Sequence, residues 1–246
     1  MNQVYLGAMG WSYGFWGIYE NTASKDYLSM YSEIFNTVEV NSTFYRIPRK
    51  SSVENWRNQT PDDFIFSVKI PQSISHSSGL NFDPEKLDTF LDHIIPFKDK
   101  LGPLLLQLPP RLTPDYRYQL AVLLTRLKDN KLAVEFRHKD WFTEETYQML
   151  RDHNAALVYV DHPWHSKAEV ETSDFNYVRL EGDRRRVDGE RGVTELDRTQ
   201  DNENWANRIH TSEKTTYLYV SKYYSGYPPT DIQKIKNKLK ALKEIY

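Results

Sequence analysis

The 246 residues include no cysteine. That absence excludes a disulfide framework, a thiolate zinc site, an iron-sulfur cluster and a cysteine nucleophile. No stretch approaches the roughly 18 consecutive apolar residues of a membrane-spanning helix. The opening Met-Asn-Gln-Val-Tyr-Leu-Gly lacks the basic-then-apolar pattern of a secretory signal. A soluble, cytoplasmic protein with no membrane partner is expected. An excess of one charge is missing too: 32 Lys and Arg oppose 34 Asp and Glu, for a formal net charge of -2. Nucleic acid as a partner therefore finds no support in a global basic field and would have to use a local patch. The 10 glycines form neither G-x-G-x-x-G nor P-loop spacing, which removes two common phosphate-cradling loops. Aromatic residues, in contrast, are plentiful: 17 Tyr, 11 Phe and 6 Trp make up 14% of the chain, many of them outside the apolar runs.

Those runs set the fold. Short β-branched or aromatic segments recur at residues 4–9, 37–41, 64–69, 104–108, 132–137, 157–161, 177–181 and 217–221. Amphipathic stretches separate most of them, such as residues 24–34 with Tyr27, Leu28, Tyr31 and Ile34 on one face, or 84–95 with Leu87, Phe90, Leu91 and Ile94. Further helices are expected at 196–209 and 231–245, the latter with Ile232, Ile235, Leu239, Leu242 and Ile245 on one stripe and lysines on a solvated face. Eight strand-helix units in about this length predict an α/β fold, a single (β/α)8 TIM barrel over residues 1–246. Residues 162–174 are too short and too broken by Pro163 for a full helix, so the barrel is expected to be irregular after strand six. Residues 182–193, charged and glycine-punctuated, read as a mobile loop.

In such a barrel, inward side chains alternate along each strand, and chemistry collects at the C-terminal strand ends. The ends here are polar: Glu39 and Asn41, Lys69, Gln107, Glu135 with Arg137 and His138, Asp161, then Arg179 and Glu181. Their charges nearly balance. One reading is a mutually satisfied ion network plugging the barrel mouth, since an unpaired buried charge costs several kcal/mol. The other is a working chamber, because so many ionisable groups together are costly unless used. Aromatic residues crowd the same end, from Trp11, Tyr13, Phe15, Trp16 and Tyr19 to Trp141, Trp164, Tyr223, Tyr224 and Tyr227. They suit either stacking on a sugar ring or nucleobase, or packing as lids. Trp56, within a helical pattern, reads as core.

Several of these segments together resemble a known family. Gly10-Trp11-Ser12-Tyr13 with Trp16-Gly17, and residues 35–46 reading Phe-Asn-Thr-Val-Glu-Val-Asn-Ser-Thr-Phe-Tyr-Arg, are similar to the YecE-like family, a domain-of-unknown-function family (number 72) of barrel proteins. So, in order, are residues 64–69 with His76, 101–110, Glu135-Phe136-Arg137-His138 with Trp141, and 177–180. The resemblance covers nearly the whole chain. It implies a barrel like those of endonuclease-IV-like and xylose-isomerase-like proteins and carries no settled reaction. Two departures stand out. Glu181 precedes Gly182 where the family usually has histidine, and strand eight ends Val220-Ser221-Lys222 where it usually has paired asparagines.

Candidate chemistry follows from the residue types. Glu39 and Glu135 are the expected acid-base pair for hydrolysis of a phosphoester or glycosidic bond. Lys69, Arg137 and Arg179 would contact an anionic group, and Asn41, Gln107 and His138 would orient it. Trp11 and Trp141 would stack on the substrate, with Asp161 and Glu181 completing the set. No cofactor is required by the sequence. The donors Glu39, Glu135, His138, Asp161 and the pair His162-x-x-His165 leave room for one divalent metal. A Schiff-base role for Lys69 requires a lowered pKa, and neighbouring carboxylates are expected to raise it. No G-x-S-x-G elbow supports a serine nucleophile, and Arg184-Arg185-Arg186 reads as solvated loop. The expectation is therefore a hydrolase-like or lyase-like enzyme acting on an anionic, phosphate- or sugar-bearing substrate. The alternative is a non-catalytic module binding an anionic small molecule or nucleic-acid end in the same pocket.

Overall fold

Each of the eight apolar runs forms a parallel strand. The structure, a computed structural model, describes residues 3–163 and 170–244. In chain order the strands are β1 (Val4–Ala8), β2 (Thr37–Val40), β3 (Ile65–Lys69), β4 (Leu101–Gln107), β5 (Leu132–Glu135), β6 (Ala155–Leu157), β7 (Tyr159–Asp161), β8 (Phe175–Leu180) and β9 (Thr215–Val220). All pairings are parallel, and the order is β6-β5-β4-β3-β2-β1-β9-β8-β7. The two ends of this order, β6 and β7, are one run of chain interrupted only at Val158, whose N–H donates to Val134 O at 3.0 Å. Eight repeats thus wrap into a TIM-like barrel whose sixth strand leaves one neighbour, β5, to join the other, β8.

Alternation along the strands sorts the side chains into two cores. One set faces the surrounding helices: Val38 and Val40, Phe66 and Val68, Leu104 and Leu106, Val178 and Leu180. The residues between them face the barrel axis, where Tyr5, Met9, Leu105, Ala133, Ala156, Phe175, Tyr177, Tyr217 and Tyr219 form a separate inner cluster. The large rings come from β8 and β9, and small residues opposite make room for them. A Cβ on Gly7 would lie 2.0 Å from Thr37 O, so only glycine lets β1 approach β2 there. Tyr219 OH is satisfied by Thr37 Oγ1 at 2.9 Å and Ser67 Oγ at 2.7 Å.

The helices occupy the expected places. Residues Tyr27–Ile34, Lys50–Asn58, Pro84–Ile94, Arg117–Arg126, Glu144–Asp152, Thr199–Thr211 and Pro228–Glu244 are α-helical. Asp83 caps the third of these by accepting from Glu85 N, with Pro84 in the first position where its missing N–H costs nothing. Trp56 is half-buried, stacked on Phe97 at 6.2 Å. Between β7 and β8 the described residues contain no helix. Trp164 and His165, expected at the rim and as half of a metal pair, and Ile245 on the last stripe lie outside the described residues. None of the described helices is long and apolar enough to cross a membrane.

The segment expected as a mobile loop is instead packed as a strap across the loops after β1 and β9. Its glycines serve close approach. Gly189 and Gly192 have φ of 72° and 67°, and a Cβ on them would meet Lys222 O at 2.7 Å and Phe15 O at 2.0 Å. Val187 is buried, and Glu195 accepts from the N–H groups of Asp188 and Gly189.

Candidate functional site

The last inward positions of β2, β3, β4, β5 and β8 are the polar Glu39, Lys69, Gln107, Glu135 and Arg179, and they meet at one level. Arg179 occupies the centre, 3% exposed. Its Nε and Nη2 donate to Glu39 Oε2 and Oε1 at 3.0 and 2.9 Å. Nη1 donates to Glu135 Oε2 at 2.5 Å and to Glu181 Oε1, and Nη2 also meets Met9 Sδ at 3.3 Å. All five guanidinium N–H donors are therefore committed inside the protein. Burial opposes the charge of Arg179, but the three carboxylates outweigh it and hold its pKa well above the ordinary value.

The two expected acid-base residues flank this guanidinium, both fully buried. Glu39 accepts four hydrogen bonds, the other two coming from Asn41 Nδ2 at 2.9 Å and Tyr177 OH at 2.8 Å. Glu135 accepts from Gln107 Nε2 at 2.8 Å and from Arg137 Nε. Burial would raise the Glu135 pKa, yet Arg179, Arg137 and the Gln107 bond carry it well below the carboxylate range. Arg137 Nη2 donates to Glu181 Oε1 at 2.6 Å. Lys69, Arg137 and Arg179 thus face Glu39, Glu135 and Glu181, three charges against three.

Above this layer opens a cleft of ≈ 410 Å³ whose lining includes Asn41, Lys69, Gln107, Arg137, Arg179 and Glu181 from the expected set. Lys69 differs from the two arginines. Only 9% exposed, it has no carboxylate within ion-pair distance among the described residues, and Gln107 Oε1 at 2.7 Å is the acceptor its Nζ finds. The ammonium also sits 4.3 Å from the centre of the Phe44 ring. Burial, then Arg179, lower its pKa from 10.5 to about 8 despite the nearby carboxylates. The carboxylates do act upward, as expected, but desolvation together with the Arg179 charge outweighs them and the net shift is downward.

Other expected residues are placed elsewhere. Trp141 is fully buried, stacked on Phe136 at 4.9 Å with Nε1 donating to Leu112 O at 2.7 Å. Trp11 packs edge-on to Trp56 at 5.5 Å, and Trp16 and Tyr224 are buried. His138 Nδ1 accepts from Asp140 N at 3.3 Å. Asp161 Oδ2 lies 3.5 Å from Trp205 Nε1, and the residue does not line the cleft. Glu39 and Glu135 lie beneath the cleft rather than in its wall. Among the described residues, no three His, Asp or Glu side chains gather as metal ligands would.

Tyr13 and Tyr223, expected among the aromatics of this end, and His162, half of the expected metal pair, line the cleft. The structure also brings in His76, Phe44 and Lys222, which strand-end reasoning did not select. Lys222 Nζ is held by Glu190 Oε1 of the strap at 2.5 Å and lies over the Tyr223 and Tyr13 rings at 5.1 and 5.6 Å. The signal for His76 was its place in the motif after strand three, but it lies seven residues beyond Lys69, where alternation along the strand no longer applies. A second hollow of ≈ 400 Å³ lies at the opposite barrel end, near Val4, Phe35, Phe64, Ile232 and Leu239. It holds none of the strand-end charges.

Comparison with known proteins agrees with the motifs. A family model described as "Protein of unknown function DUF72" matches residues 5–245. The UPF0759 protein YecE of Escherichia coli is 34% identical over 142 residues, 57% of this chain and 51% of that protein. The UPF0759 protein YunF of Bacillus subtilis is 33% identical over 156 residues, 59% of this chain and 54% of that protein. The chain thus spans about half the length of these relatives. A crystal structure of a DUF72 family protein from Thermotoga maritima superposes with a TM-score of 0.80 at 28% identity, covering 97% of this chain and 100% of that one. A DUF72 protein of Enterococcus faecalis gives 0.80 at 19% identity, over 97% and 96%, a likeness of fold alone.

Proposed function

Because the chain belongs to the DUF72 family, whose description assigns no reaction, we propose from the site itself that the cleft takes a small anionic, phosphate- or sugar-bearing substrate. The protein then works as a hydrolase- or lyase-type enzyme in which Lys69 meets the anion. The observation that carries this reading is the buried Lys69 ammonium without a carboxylate partner. Its neighbours Glu39, Glu135 and Glu181 make their ion pairs with Arg179 and Arg137, so the Lys69 ammonium lines the cleft with no carboxylate in direct contact and is placed to meet a ligand's negative charge. With a pKa of about 8, Lys69 can hold or release a proton near neutral pH, as an acid-base group requires.

In this reading Glu39 and Glu135 are positioning residues. A substrate bond placed between them for paired acid-base attack would have to displace the Arg179 guanidinium that bridges them. The carboxylates instead fix Arg179, and Gln107 links Glu135 to Lys69 by hydrogen bonds at 2.8 and 2.7 Å. A ligand oxyanion can meet Lys69 without disturbing this layer.

Calorimetric titration of inorganic phosphate and of sugar phosphates into the wild type and Lys69→Met tests the reading. Binding to the wild type and its loss in Lys69→Met are expected, with turnover of one or more sugar phosphates in a product assay. Equal binding to both proteins overturns it. Binding without turnover of any substrate leaves the non-catalytic binding module, built on the same residues.

A further inference from the structure

His76 lines the cleft at its boundary with a side hollow of ≈ 480 Å³ whose lining includes Tyr45, Pro71, Gln72 and Arg111. Its Nδ1 shares the Ser75 hydroxyl with a backbone carbonyl. Ser75 Oγ, in a fully buried residue, donates its single proton to Pro71 O at 3.0 Å. The same oxygen lies 3.0 Å from His76 Nδ1; with its own proton on Pro71 O it accepts there, the arrangement that places the imidazole proton on Nδ1. Nε2 then carries a lone pair, and among the described residues no protein group donates to it. The edge-to-face Phe44 ring at 4.9 Å holds the imidazole, and the same ring bears the Lys69 ammonium at 4.3 Å.

Protonation offers Nε2 no other way out. The charged groups facing His76 are Lys69, Arg111 and Arg137, all cations. With burial they lower its pKa to about 4, so between about pH 4 and 8 the imidazole is neutral while Lys69 is charged. A cation and a bare acceptor thus flank the same Phe44 ring, and a ligand satisfies both if it brings a negative oxygen and a hydrogen-bond donor such as an O–H.

We propose that His76 is a specificity-determining residue that selects anions carrying their own O–H donor, accepting that hydrogen at Nε2 while Lys69 takes the charge. Hydroxy acids, sugar phosphates and monohydrogen phosphate share this chemistry. The inference rests on the anion-binding reading above and narrows it to a substrate class.

Inorganic phosphate and sulfate separate the two. At pH 7.5 phosphate is largely the monohydrogen dianion, matching sulfate in shape and charge but bearing the O–H that sulfate lacks. Titration calorimetry is expected to show the wild type preferring phosphate by roughly tenfold or more, the scale of one buried hydrogen bond and the acceptor left empty without it. In His76→Ala the preference falls below about threefold through loss of phosphate affinity, with sulfate affinity little changed. His76→Gln, whose side-chain oxygen reaches toward the place of Nε2, restores part of it. Long-range ¹⁵N NMR of the wild type adds a readout that no variant's folding can disturb: the Nδ1–H tautomer is expected throughout pH 6–8. Equal binding of the two anions, a preference that survives in His76→Ala, or an Nε2–H tautomer overturns the inference and leaves the anion reading standing. If neither anion binds the wild type, both fall.

Discussion

Replacing Lys69 with methionine should make the ligand-free protein more stable. The folded chain holds the ammonium 9% exposed with no carboxylate partner, at a pKa of about 8 against an ordinary 10.5. At about 1.4 kcal/mol per pH unit this depression corresponds to about 3 kcal/mol of penalty on the charged folded state at pH 7. Methionine removes the charge and keeps most of the volume against Phe44. It forfeits the Gln107 hydrogen bond, about 1 kcal/mol, for a net gain of about 2 kcal/mol and a rise in Tm of roughly 5 °C at this chain length. The pH dependence has a definite sign. A lysine whose folded pKa is depressed weakens the fold wherever it is charged in both states. Between pH 8 and 10.5 the unfolded chain keeps the proton that the folded chain has released, so wild-type stability recovers as pH rises. Thermal melts at pH 7 and pH 10 should therefore show the gap between variant and wild type closing. Phosphate at about 100 times its Kd adds about 2.7 kcal/mol to a protein that binds it, enough to invert the order of the two melts. A variant that melts below wild type at pH 7 without ligand, or a gap unchanged between pH 7 and 10, refutes the reasoning.

Arg179→Met should do the opposite, costing about 3–5 kcal/mol because Glu39 and Glu135 stay buried without their bridging cation. The deficit should be largest near neutral pH and shrink toward pH 5. Glu135, held below the carboxylate range in the wild type, would there be free to take up a proton; denaturant melts at both pH values check this. Trp141→Phe keeps the stacking on Phe136 but loses the Leu112 hydrogen bond. A loss of about 1–2 kcal/mol in stability with unchanged phosphate affinity is expected, and weakened phosphate binding would return Trp141 to the cleft wall. Gly192→Ala forces a Cβ to within 2.0 Å of Phe15 O at a φ of 67°. It should cost about 1–3 kcal/mol and speed tryptic cleavage at Arg184–Arg186 in the strap, whereas an unchanged digestion rate would show that the strap does not depend on this approach.

Most of the barrel was legible because strands covered on both sides read as apolar runs, and each run from residue 4 to 221 became a strand. The polar layer was legible for the same reason: Glu39, Lys69, Gln107, Glu135 and Arg179 interrupt those runs at the last inward position. What each of them touches was not legible. Strand-end chemistry does not reveal that one guanidinium bridges three carboxylates, nor that Lys69 is left to Gln107 and an aromatic ring. The strap was misjudged because glycine in sequence signals freedom, whereas Gly189 and Gly192 are required by positive φ and close contact. Trp141 and Trp16 shared the composition of the rim but went into the packing, since sequence cannot distinguish a ring that covers the core from one that faces the solvent. His76 escaped because its role arises from Ser75, Phe44 and Lys69, which meet it only in three dimensions.

The pairing of β1 with β9 sets a timetable. β1 has hydrogen-bond partners on both sides, and the one supplied by Thr215–Val220 is made by the ribosome only after some two hundred further residues. Until then the edge of Val4–Ala8 is an unpaired, largely apolar template, and the inner tyrosines of β8 and β9 have not yet filled the space around Gly7. Closure joins residues more than two hundred positions apart and is expected to be slow. The nascent protein therefore depends, for most of its synthesis, on whatever keeps that first strand from finding another partner.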